Sequence, residues 1–173
     1  MSLQNTNICP YSENECAEKK DLCDKFPSKH EAQCVSKTTN SSIVCIENGM
    51  RYELKNDNQS CVKKIAIDNC LISDTEVQKC DYAVLICNSE ICCFIELKGS
   101  DIKHACDQIL YTIRQLNDIV MKCQKIYARI IPSRYSAPNI RSRPKELLFR
   151  LCKKYNGDLK IQTRRFEDRV SEL

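Results

Sequence analysis

The sequence predicts one α/β or α+β domain over residues 41–173, with a cysteine-rich extension, residues 1–40, packed on it. Three observations carry this prediction. The runs CDYAVLIC (80–87) and ICCFIEL (91–97) are apolar at consecutive positions, as strands covered on both faces are. Ile102, Ala105, Cys106, Ile109, Ile113, Leu116, Val120 and Cys123 then recur at helical spacing. Beyond them the pattern alternates strand, helix, strand, which mixes both element types along one chain. A chain of 173 residues is long enough to enclose a core.

Residues 4–40 are polar, and ENECAEKKDLCDKF and SKHEAQCVSK read as one or two short helices. TTNSS, 38–42, is a loop. In SIVCIENGMRYEL, Asn48-Gly49 separates two strand-like runs and signals a hairpin. SCVKKIAIDNCLI continues as strand, with Val62, Ile65 and Ile67 on the alternation, and the two apolar strands follow. Ser100 or Asp101 can cap the long helix. KIYARIIP, 125–132, reads as a strand, and RYSAPNIRSRP as a loop. PKELLFRLCKKY is a helix with Pro144 in its first turn and Gly157 as its stop. DLKIQTRRF reads as a last, edge strand.

Charge is divided unevenly. Residues 1–121 hold 13 Lys/Arg against 18 Asp/Glu, whereas residues 122–173 hold 14 against 5. A basic C-terminal third suits either an anionic partner or a solvated surface. No apolar run is long enough to span a membrane, and MSLQNTNICPYSENEC has no secretory apolar stretch, so a cytoplasmic protein is expected. The 14 cysteines include no CxxC pair. Cys9, Cys16 and Cys23 recur every seven residues, about 10 Å apart on a helix and too far to share one ion. The default expectation is reduced, buried thiols acting as small hydrophobes; an N-terminal metal or disulfide cluster is the alternative.

The candidate site comes from strand register. A tight turn at Asn88-Ser89 sets Cys87 against Glu90 and, counting back, Asp81 against Glu96. Such partners have Cβ atoms roughly 5 Å apart on one face. Lys98, two residues beyond Glu96, shares that face. Two carboxylates so close repel unless a cation lies between them or one takes a proton. Mg²⁺ is held by few carboxylates plus water and phosphate, can polarise a phosphoryl oxygen and can supply hydroxide, and a neighbouring Lys can stabilise developing negative charge. The bland alternative is a surface ion pair at the open end of a sheet.

The segment KCDYAVLICNSEICCFIELKGSDIKHACDQILYTI resembles the core of the PD-(D/E)xK nuclease superfamily, the restriction-endonuclease-like fold. The resemblance covers residues 60–120 and implies a mixed central sheet flanked by helices, with Asp81 and Glu96 as ligands of Mg²⁺ or Mn²⁺ and Lys98 as the catalytic lysine. Lys79 and Cys80 stand where the motif's Pro would be. Members often carry a Glu on the first helix, for which Glu31, Glu47 and Glu53 are candidates. An exonuclease-like branch has Gln-x-x-x-Tyr on the later helix; here Gln108 is followed by Tyr111, one residue early, with Thr112 in the Tyr position. His104 and Gln108 are open to substrate or to solvent. Arg134, Arg141, Arg143 and Lys145, with Tyr135 among them and Lys153, Lys154, Arg164 and Arg165 following, would hold nucleic acid, DNA before RNA. The expected protein is a metal-dependent nuclease. The alternative is an inactive relative that binds nucleic acid or a protein; a homodimer is compatible with either.

Overall fold

A computed structural model of the chain describes residues 32–97, 99–134 and 142–173. In chain order the strands are β1 (Val35–Thr38), β2 (Ser42–Glu47), β3 (Met50–Lys55), β4 (Val62–Ala66), β5 (Tyr82–Ile86), β6 (Ile91–Glu96), β7 (Lys125–Ile130), β8 (Leu159–Ile161) and β9 (Arg165–Arg169). The α-helices are α1 (Ile102–Gln115), the short α2 (Asn117–Val120) and α3 (Arg143–Lys154). The class is therefore mixed α and β, built on two sheets.

The larger sheet has the order β1-β4-β5-β6-β7-β8, antiparallel as far as β6 and parallel from β6 to β8. The smaller has the order β2-β3-β9, with β3 and β9 parallel. The all-apolar strands lie centrally. Ala83, Leu85, Cys92, Phe94, Ile126 and Ala128 share one core with Ile109 of α1 and Leu148 of α3. From the other face Val84, Ile86, Cys93, Ile95 and Tyr127 pack on Ile43, Cys45, Tyr52, Leu54 and Phe166 of the small sheet. Each fully buried aliphatic side chain contributes roughly 1.5–3 kcal/mol, so two covered faces explain the continuous apolar runs.

Local chemistry sets the boundaries. Asn48 and Gly49 take positive φ, 46° and 79°, as a two-residue hairpin of primed type requires. The Asp101 side chain caps α1 by accepting from the His104 N–H at 3.1 Å, and the Ser142 side chain caps α3 by accepting from the Lys145 N–H. At the end of α3, Asn156 supplies the left-handed turn (φ 53°). Gly157 is needed for another reason: a Cβ there would lie 1.9 Å from the Ile126 carbonyl oxygen, so α3 could not hand over to β8 against β7.

Four expectations are corrected. In the segment read as helix, Ala32–Cys34 is one 3-10 turn and Val35–Thr38 is an edge strand paired with β4; the rest of the predicted helices lies outside the described residues. The helix predicted to run to Cys123 breaks after Gln115. DLKIQTRRF is two strands in different sheets, because Arg164 (φ 65°) turns the chain between them. The thiols are not uniformly reduced: Cys34 and Cys70 form a disulfide, and Cys87 is also disulfide-bonded. Cys9, Cys16 and Cys23 lie outside the described residues. Free cysteines do behave as core residues elsewhere. Burial pushes the thiols of Cys45, Cys93, Cys106 and Cys152 up to about 12, which keeps them protonated at neutral pH.

Glu53, on the outward face of β3, hydrogen bonds to Lys55, to Ser42 (2.6 Å) and to Arg51 (2.8 Å). These bonds hold its carboxyl down to about 2, below the ordinary 4.5. A depressed folded-state pKa contributes stability that is present above about pH 4.5 and lost as pH falls towards 2. Each pair faces solvent and is worth less than about 1 kcal/mol. Glu53→Gln should therefore lower the thermal midpoint by a few degrees at pH 7, with the gap to wild type narrowing from pH 5 downwards. Thermal melts over a pH series test this; a gap of constant size down to pH 3 would assign the loss to packing instead.

Candidate functional site

The register inferred for the β5–β6 hairpin is the one observed: Tyr82 pairs with Ile95 and Ile86 with Ile91. The turn is longer than expected, a 3-10 turn at Cys87–Ser89 followed by Glu90 at φ 52°, yet it closes without shifting the count. Asp81 and Glu96 are consequently opposite one another, one position beyond the last paired residues. By alternation both lie on the face that carries Ala83 and Phe94, towards the helices. Both are buried, Asp81 at 2% exposure and Glu96 at 0%. Leu97 donates its N–H to Asp81 Oδ2 at 2.6 Å, which fixes the carboxylate against the chain leaving β6. The Glu96 carbonyl accepts from Ile131 N–H at 2.8 Å, joining the end of β6 to the end of β7.

The approach to Asp81 is held by α1. Gln108 Nε2 donates to the Lys79 carbonyl at 2.9 Å, and the Cys80 N–H donates to Thr112 Oγ1 at 2.9 Å. Thr112 in turn donates to the Gln108 carbonyl at 2.9 Å. Ile67 N–H donates to the Asp81 carbonyl at 3.0 Å. The buried Lys79 ammonium bonds the Asp74 carbonyl and lies 3.5 Å from Asp68. Gln108 is thus buried, and its amide braces the residues that precede Asp81. Thr112 does the same, a role spacing alone did not assign; the available signal was polar side chains on the buried stripe of an amphipathic helix. Burial first, and then the nearby Glu96 carboxylate, push the Cys80 thiol well up. A carboxylate pair, a neutral thiol and two backbone struts therefore surround one buried point.

Other predicted residues fall elsewhere. His104 is exposed on α1, while Arg134 and Arg143 are exposed on either side of the connection from β7 to α3. Lys145 is half-buried near Cys106. Lys98, Tyr135 and Arg141 lie outside the described residues, as does Glu31. Glu47 and Glu53 are on strands of the small sheet, not on a first helix, and Glu53 is engaged by Ser42, Arg51 and Lys55. Neither supplies the expected helical carboxylate.

As donors, two buried carboxylates suit a hard divalent cation, whose remaining positions water and phosphate fill. Among the described residues no group of three or more His, Cys, Asp or Glu is placed to hold a metal ion. No helix among them is long and apolar enough to cross a membrane. No family model, curated protein or solved structure matches the chain.

Proposed function

We propose that the protein is a metal-dependent nuclease of the restriction-endonuclease-like fold, hydrolysing phosphodiester bonds, with DNA the preferred substrate. The observation that carries this is the buried pair Asp81 and Glu96, brought to one face of a central hairpin. Enclosing two carboxylates together costs free energy in a protein that has no use for them. Asp81 and Glu96 would hold Mg²⁺ or Mn²⁺; such an ion polarises a phosphoryl oxygen and acidifies water. Asp81 is presented by its hydrogen bond from Leu97 and by the struts from Gln108 and Thr112. Lys98 follows Glu96 by two residues and is assigned the stabilisation of charge developing on the phosphate. Water oxygen bonds to phosphorus, the bond to the departing sugar oxygen breaks, and that oxygen leaves protonated. Arg134, Arg141, Arg143 and Lys145 would grip the backbone, supplying affinity without sequence preference.

The absence of a third metal-ligating side chain among the described residues favours a second reading, a non-cleaving relative that binds nucleic acid or a protein partner. One experiment separates them. Labelled single- and double-stranded DNA and RNA are incubated with protein in Mg²⁺, Mn²⁺ or EDTA, beside Lys98→Ala. Cleavage in metal, absent in EDTA and abolished in Lys98→Ala, is expected. Tight binding with no cut under any condition would replace the nuclease by the binding protein.

A further inference from the structure

The connection between β8 and β9, which carries the chain from the large sheet to the small one, is a strained turn built on a non-glycine residue. Arg165 N–H donates to the Thr163 carbonyl at 2.7 Å, an i to i+2 bond, and Arg164 between them has φ 65°. This is the rarer and more strained of the γ-turn forms, and glycine fits a positive φ far better than arginine does. The turn is nonetheless firmly built. Gln162 Nε2 donates to the Arg165 carbonyl at 2.8 Å, Arg164 N–H to the Pro132 carbonyl at 3.0 Å, and Arg51 N–H to the Arg164 carbonyl at 2.9 Å. Strain that persists in a well-bonded turn calls for a use for the side chain.

Position suggests the use. Gly99, two residues past Leu97, accepts from Ser133 N–H at 3.2 Å, and the neighbouring Pro132 accepts from Arg164. The segment that leaves β7 therefore bonds to Gly99 on one side and to Arg164 on the other, close to the chain that leaves β6 beside Asp81. The turn sits at the same end of the large sheet as Asp81 and Glu96. Arg164 and Arg165 are both exposed, as are Arg134 and Arg143, and among the described residues none of the four enters an ion pair. Arg51, Arg150 and Arg169 each meet a carboxylate, Glu53, Glu146 and Asp57 respectively, whereas Arg114, exposed on α1, enters no ion pair among the described residues.

We infer that the Arg164–Arg165 turn is a phosphate-gripping element, which lays a nucleic-acid backbone across the sheet end that holds the carboxylates. The inference rests on nucleic acid being the partner, and it gives Arg164 and Arg165, two of the basic residues singled out in the sequence, a defined place at the carboxylate end of the sheet. Removing one cation from a phosphate lowers the dependence of log K on log salt by about 0.9 on duplex, or ~0.7 on a single strand.

The test is fluorescence anisotropy with a fluorescein-labelled oligonucleotide, single-stranded and as duplex, over a NaCl series in EDTA so that nothing is cut. Arg164→Gly and Arg165→Ala are each expected to weaken binding several-fold at low salt and to flatten the slope by about one phosphate's worth. Lys37→Ala, which removes a charge from the opposite sheet edge, should leave the slope unchanged. Arg164→Gly should keep a thermal midpoint no lower than wild type, since it relieves the φ, and this distinguishes a weakened grip from a damaged fold. Wild-type slopes in both variants, or a wild-type protein that binds neither probe, would overturn the inference. Cleavage in Mg²⁺ with unaltered slopes would remove this element and leave the nuclease standing. Flattened slopes in a protein that cuts nothing would do the reverse.

Discussion

Glu96→Gln is expected to reduce cleavage by at least about a hundredfold while leaving the protein folded in EDTA. Both halves follow from the same burial. Glu96 is 0% exposed and Asp81 opposite it is 2% exposed, so two carboxyl groups share a site from which water is largely excluded. Repulsion between buried carboxylates is stronger than between wet ones, and an isosteric amide removes one charge without opening a cavity. What the substitution removes is the negative charge that would attract a divalent cation. A ligand that binds only the folded state stabilises by about 1.4 kcal/mol at ten times its Kd. Mg²⁺ should accordingly raise the thermal midpoint of wild type by a few degrees and that of Glu96→Gln not at all. Loss of activity together with a midpoint well below wild type would mark Glu96 as a structural residue. A Mg²⁺-induced rise that survives in the variant would place the ion elsewhere.

The hairpin that supports this prediction was legible because local rules decide it. Two runs with β-forming residues, joined by a short loop, admit few registers, and a one-residue slip would have sent Asp81 and Glu96 to opposite faces. The Asn48-Gly49 hairpin and α1 were legible for similar reasons of turn chemistry and period. What escaped the sequence depends on distant partners. Val35–Thr38 has one strong apolar residue and a lysine, and it becomes a strand only because β4 offers it an edge. The parallel pairing of β3 with β9 joins residues more than a hundred positions apart, and no local pattern records it. Arg164 hides the break between β8 and β9 because no glycine marks its positive φ. Gln108 was open to substrate or solvent on spacing alone, and only the Lys79 carbonyl beside it gives its amide a task.

Asp168→Ala should be among the most damaging substitutions in the fold, costing about 3–5 kcal/mol. Arg129 lies on β7 at 0% exposure, between the two sheets, and no feature of KIYARIIP announces a buried cation. Its Nε donates to Asp168 Oδ2 at 2.6 Å and its Nη2 to Asp168 Oδ1 at 3.3 Å, a two-point grip across the intersheet space. Nη1 reaches Asp158 and the Ala128 carbonyl. The guanidinium is flanked by the rings of Tyr127 (5.0 Å) and Phe166 (5.2 Å), and Tyr52 donates its hydroxyl to Asp168 at 3.1 Å. Removing Asp168 leaves Arg129 with one carboxylate partner, the more exposed Asp158, and takes from the Tyr52 hydroxyl its carboxylate acceptor. For a chain of this size the loss corresponds to a fall in thermal midpoint of roughly 10 °C. Attraction in a buried pair only partly offsets desolvation, so the double variant Arg129→Met with Asp168→Leu should recover most of it. Urea denaturation of the two single variants and the double one measures the coupling directly. If Asp168→Ala costs less than about 1 kcal/mol, water reaches the guanidinium and the intersheet space is not as dry as the packing of Tyr127 and Phe166 implies. If the double variant is no better than the single ones, the pair contributes more than its desolvation costs, and it holds β9 and its arginine turn against β7 by net attraction.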